Sequence, residues 1–143
     1  MPENPAPQQV AETCLAFAVN RAARRIARAY DDAFRPLGIT SGQFSILVSI
    51  SAGRPLGVGK LSDELGMDRT TFTAAIKPLE RDGLVEGLAD PADARGRHFR
   101  LTPQGRALLD EAFPVWVKLQ AHMQERAPAL DLDRLRRDLR VLA

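Results

Sequence analysis

Along most of this chain apolar residues recur every three or four positions, broken by short stretches rich in Gly, Pro and Asp; that rhythm predicts mostly helices. From about Val10 to Phe34 one stripe contains Leu15, Val19, Ala22, Ile26, Ala29 and Ala33, and Cys14, Phe17 and Ala18 widen it near its start. The pattern predicts a single long first helix, whose run CLAFAV is apolar nearly all round and so suits burial against more than one surface. Val58, Leu61 and Leu65 share one face of a short helix that Gly66 ends. Asp68 then suits the N-cap of a second helix, with Phe72, Ile76 and Leu79 inward and Arg69, Thr70, Thr73, Ala74 and Lys77 outward. Pro78 removes one helical N–H and is expected to bend or loosen the end of that helix, which Gly83 closes. Two strand-like runs follow, Leu84 to Ala89 and Arg97 to Leu101, separated by DPADARG, a loop suited to a hairpin tip. Thr102 and Pro103 open a long helix carrying Leu109, Phe113, Trp116, Leu119 and Met123, with a bend expected at Pro114. Asp131 caps a last helix bearing Leu132, Leu135, Leu139 and Leu142.

A short helix, a tight turn, a Thr-rich helix and a basic hairpin, in that order, outline a winged helix-turn-helix, whose second helix enters the DNA major groove. The fold class read from the chain is mainly α with a small β-hairpin wing. Residues 38–102 form the DNA-binding unit, residues 10–37 and 103–143 a helical dimerisation region, and residues 1–9, polar and Pro-rich, a disordered tail. Small hydroxyls and cations on one exposed helix face can bond phosphates and base edges in a groove about 12 Å wide. Taken alone, that face reads equally well as ordinary solvated surface; the hairpin decides between the two. Between Arg95 and Arg106 stand four arginines and no carboxylate, as expected of a wing whose tip arginine enters the narrow, electronegative minor groove. Asp93 is placed to orient the Arg95 guanidinium. The candidate DNA contacts are Arg69, Thr70, Thr71, Thr73, Lys77, Asp93, Arg95 and Arg97.

The chain has 143 residues, which suits one domain with extensions, and a net charge of only +2. From Arg54 to Arg106 nine Lys and Arg face eight Asp and Glu, so any attraction to a duplex comes from local clustering. The polar, Pro-rich beginning lacks a secretory pattern, arginines interrupt every long apolar stretch, and the single cysteine fits a reducing compartment; a cytoplasmic address without membrane spans is expected. Cys14, His98 and His122 fall on three distant elements, with no glycine-rich phosphate loop and no metal-ligand spacing, so neither catalysis nor a cofactor is expected.

LGITSGQFSIL, KLSDELGMDRTTFTAAIKPLERDGLVE and DPADARGRHFRLTPQG together resemble the MarR family of bacterial transcriptional regulators. The family's Asp-x-Arg wing signature is met by Asp93 and Arg95, and its Leu-Thr-x-x-Gly by Leu101, Thr102 and Gly105. One departure is Ala74, where many relatives carry an arginine on the groove-facing side. The resemblance implies a homodimeric repressor that binds a pseudo-palindromic operator in double-stranded DNA and is released by a small aromatic or anionic effector. The terminal helices lack a core of their own, and pairing with a second copy would bury them.

Arg21, Arg24, Arg25 and Arg28 form a stripe that reads either as a solvated face or as part of an effector cleft. In the second case Phe17, Arg21, Phe44 and Trp116 are the candidate ligand-binding residues. Some MarR relatives sense peroxide through a cysteine near the start of the first helix, so Cys14 is a candidate redox residue; the plainer alternative is a small buried hydrophobe. Tyr30 is about 24 Å further along a continuous helix, out of reach of Cys14 within one subunit. A competitor from another class is a winged-helix protein-interaction module without DNA binding.

Overall fold

The computed structural model describes residues 4–53, 56–93 and 95–143. Residues 1–3 of the expected tail and Ala94 of the expected hairpin loop lie outside them. The elements in chain order are α1 (Pro7–Thr13), α2 (Leu15–Phe34), a 3-10 turn (Arg35–Leu37), α3 (Ser41–Ser51), β1 (Leu56–Gly57), α4 (Val58–Leu65), α5 (Arg69–Arg81), β2 (Val85–Ala89), β3 (Arg97–Leu101), α6 (Pro103–Arg126) and α7 (Leu132–Leu142). The fold is mainly helical, with a three-stranded antiparallel sheet in the order β1-β3-β2.

The core gathers around α3, which touches α2, α4, α5, α6 and β3. Periodicity did not mark this helix, because the buried Phe44, Ile46, Leu47 and Ile50 spread over a broad arc while the apolar Val48 lies exposed outside it. An apolar residue on the open side blurs the stripe by which an amphipathic helix is recognised. Its start is held by a reciprocal capping box, the Thr40 hydroxyl accepting from the Gln43 N–H (3.2 Å) and the Gln43 side chain from the Thr40 N–H (3.0 Å). Phe34 is fully buried against Phe44, ring centres 4.6 Å apart, and Phe72 of α5 meets Phe99 of β3 at 5.9 Å.

Two expectations change. The long first helix is two helices, because Cys14 adopts an extended backbone (φ −73°, ψ 113°) between α1 and α2. The Thr13 hydroxyl donates to the Gln9 carbonyl (2.7 Å), a back-bond that competes with the helical ladder and bends it. The apolar stripe begins only at Cys14, so no pattern spans the break to reveal it. The expected tail is already helical from Pro7, which occupies the first turn, where its missing N–H costs nothing. Pro78 and Pro114, where bends are expected, lie inside α5 and α6.

Candidate nucleic-acid interface

Gly66 sits in the left-handed region (φ 62°), and this lets the chain reverse between α4 and α5. Behind it, the Met67 N–H donates to the Ser62 carbonyl (2.9 Å). Asp68 caps α5: its carboxylate accepts the Thr71 N–H at 2.7 Å and the Thr71 hydroxyl at 3.0 Å. These bonds, the backbone N–H first, hold the Asp68 carboxyl below the usual carboxylate range. Phe72, Ile76 and Leu79 are buried as predicted. Arg69, Thr70, Thr73, Ala74 and Lys77 line one open, exposed surface on the opposite face. Thr71 is exposed too, but its hydroxyl proton is committed to Asp68.

The wing follows. β2 and β3 pair in the register Val85↔Leu101, Gly87↔Phe99 and Ala89↔Arg97. At the turn, Asp90 accepts the Ala92 N–H (2.8 Å) and lies 3.1 Å from His98 Nε2. Asp93 accepts the backbone N–H of Arg95 (2.9 Å), so it shapes the turn and does not orient the guanidinium as expected; one carboxylate two residues back reaches the backbone first. Arg69, Lys77 and Arg95 are exposed and have no ion-pair partner among the described residues. Arg97 differs, because it pairs with Glu80 at 2.6 Å. Between α5 and the wing runs an open groove lined by Arg69, Thr73, Arg95 and Arg97 over Gly57 and Gly59. Of the groove's side chains the sequence pointed to Arg69, Thr73, Asp93, Arg95 and Arg97 but missed Asp90. It also missed the Glu80 partnership of Arg97, for which Gly87 in mid-strand was the advance signal, since glycine there marks a close approach.

The expected effector pocket divides. Phe44 and Trp116 share a cavity of about 460 Å³ with Ile26 and Tyr30. Phe17 and Arg21 instead face a separate hollow with Cys14, Arg24, Arg25 and Arg28. Phe17 precedes Tyr30 by thirteen residues of one helix, about 20 Å, so a subunit cannot fold both onto one small ligand. Sequence reading missed Tyr30 as a cavity residue: its hydroxyl accepts from Gln120 (3.1 Å), and burial pushes its pKa upward.

A helix-turn-helix followed by an antiparallel hairpin, with exposed cations on one shared side, defines the class of winged-helix DNA-binding regulators. The sequence profile of the MarR family matches residues 39–96. A Mycobacterium tuberculosis transcriptional regulator, MosR, solved in complex with DNA, is 41% identical with a TM-score of 0.79, over 90% of this chain and 92% of that one. The transcriptional repressor CouR, bound to a 23-mer DNA duplex, is 26% identical with a TM-score of 0.75, over 97% of this chain and 96% of that one. BilQ of Clostridioides difficile, an HTH-type transcriptional regulator, is 26% identical over 108 residues, 76% of this chain and 73% of its own length. This chain belongs to the MarR family of transcriptional regulators, which are not enzymes. No described helix is long and apolar enough to cross a membrane.

Proposed function

We propose that the protein is a homodimeric cytoplasmic repressor that grips a pseudo-palindromic operator and leaves it when a small aromatic or anionic effector binds. The observation that carries the DNA half is the alignment of Arg69, Thr70, Thr73 and Lys77 on the open face of α5 with Arg95 of the wing, which has no ion-pair partner among the described residues. Thr70, Thr73 and Lys77 meet the major groove and its phosphates, and Arg95 the minor groove. The dimer is supported by large apolar side chains left in water on one chain: Leu15 (57% exposed), Phe17 (54%) and Val117 (56%). Two copies about 34 Å apart would then read two half-sites.

The effector reading is supported by the cavity beneath Trp116, with Phe44 and Ile26 as apolar wall and the Tyr30 hydroxyl as polar handle. A ligand there releases DNA only if it binds better to the dimer shape whose α5 helices miss the half-site spacing. Titrating a panel of phenolic acids into the protein–DNA complex should lower its fluorescence anisotropy; no release by any of them at millimolar concentration overturns this part. A salt series tests the DNA half, since affinity should fall with log salt by about 0.9 per phosphate contacted. Absence of binding to any duplex would favour a protein-interaction module instead.

A second reading rests on the break at Cys14, which places the half-buried thiol at the start of α2 in the same hollow as Arg21. Organic hydroperoxide would oxidise it to the sulfenic acid, releasing the alcohol. Lost DNA affinity in the wild type but not in Cys14→Ser supports this; equal behaviour of the two ends it.

A further inference from the structure

The geometry points to Arg97 as a positioning residue that aims the wing by clamping Glu80 of α5, rather than as a residue that touches DNA. This rests on the reading that α5 and the wing meet one duplex. The Arg97 guanidinium makes two parallel bonds to the Glu80 carboxylate, Nη2 to Oε2 at 2.6 Å and Nη1 to Oε1 at 3.3 Å. Its central carbon stands 5.3 Å from the centre of the Phe99 ring. Phe99 is itself buried against Phe72 of α5. Opposite Phe99 in the ladder is Gly87, where an added Cβ would lie 2.0 Å from Arg97 Nη2.

The guanidinium therefore fills the space that a side chain at position 87 would need. It runs across the hairpin to reach the helix. A phosphate would have to compete with a carboxylate that already takes both arms of the fork, whereas Arg95, two residues earlier, is free among the described residues. The two arginines thus divide the work: Arg95 touches, and Arg97 sets the angle at which it does so. The bridge ties the tip-proximal end of β3 to the last turn of α5, so the two DNA-facing elements move as one body.

The test uses the full-length protein and a duplex selected by the wild type from a random-sequence library, with binding followed by fluorescence anisotropy. Glu80→Gln should weaken binding about three- to tenfold even though it removes a negative charge beside the duplex. Gly87→Ala, which keeps both charges but displaces the guanidinium, should weaken it comparably. Because the pair is partly solvated, the unfolding midpoint of Glu80→Gln should shift by only a few degrees. Adding Glu80→Gln to Arg95→Ala should cost less than the two separate losses multiplied, since an unclamped wing no longer places Arg95. Unchanged or tighter binding by Glu80→Gln overturns the proposal, because that is the result if Arg97 contacts phosphate and Glu80 merely competes. If Arg95→Ala binds like the wild type, the DNA-interface reading fails instead, and the two failures are distinguishable.

Discussion

Arg95 and Arg97 are two residues apart on one basic hairpin, yet only one is free to leave the protein surface. A guanidinium without an ion pair among the described residues gains when it meets a phosphate or the minor groove, because it gives up no existing pair. Arg95→Ala should therefore weaken binding to all duplexes and reduce the salt slope by about one contact, near 0.9. An unchanged slope in salt-dependent anisotropy would remove Arg95 from the interface. Thr73 projects from the same helix face without a charge, so Thr73→Val should alter which sequences a library selection returns more than overall affinity. At the N-cap of α5, the lowered pKa of Asp68 carries its own signature. A carboxyl whose native pKa lies below the unfolded value of about 4 contributes stability above that value and loses it as pH falls through the native pKa. The stability advantage of the wild type over Asp68→Asn in urea titrations should accordingly shrink as pH drops below about 4; a constant difference would contradict the cap's charge dependence.

Among the elements, the junction of the wing with α6 is the tightest. Gly105 is buried, and a Cβ there would lie 1.9 Å from the Leu84 carbonyl oxygen, a backbone atom that cannot move aside. Gly105→Ala should cost about 3 kcal/mol or more, read as a lower thermal midpoint. Thr102 works at the same corner, its hydroxyl accepting the Gly105 N–H (3.0 Å) and donating to the Gly83 carbonyl (2.6 Å). Both ends of the wing are thus anchored to helices: through Thr102 and Gly105 to α6, through Glu80 and Arg97 to α5.

On the scale of the whole molecule, the core explains one half of the chain and leaves the other half unfinished. α3, α4, α5 and the sheet bury Phe34, Ile46, Leu47, Leu61, Phe72 and Leu79 almost completely. α1 and α7 have no buried residue at all, and α2 has only Phe34. Placing a carboxylate on that apolar surface should cost little in a lone chain and a great deal in a paired one. Leu15→Glu with Val117→Glu should run as a folded monomer in sedimentation velocity and lose most DNA affinity, since one half-site remains per molecule. A persistent dimer would place the pairing surface elsewhere.

The helix-turn-helix, the wing and their outward-facing Thr and Arg were legible in the linear order of residues, because each depends on local rules: a 3.6-residue period, an Asp cap, a left-handed glycine, alternation along a strand. α3 was not, because the exposed Val48 beside its buried residues blurs its face, and neither was the break at Cys14, because the apolar stripe starts only there and no pattern spans the break. The grouping of side chains from distant positions was equally hidden: Arg97 with Glu80, seventeen residues away, Tyr30 with Gln120, ninety away, and the separation of Phe17 and Arg21 from Phe44 and Trp116. Sequence alone determined the periodic elements, α4, α5, α6 and the hairpin, and the chemistry each exposes, since a residue's neighbours at i+3 and i+4 are set by the helix itself. Only the tertiary structure decided which charges are spent on one another and which remain for a partner, because that depends on distances across the fold that no spacing along the chain contains.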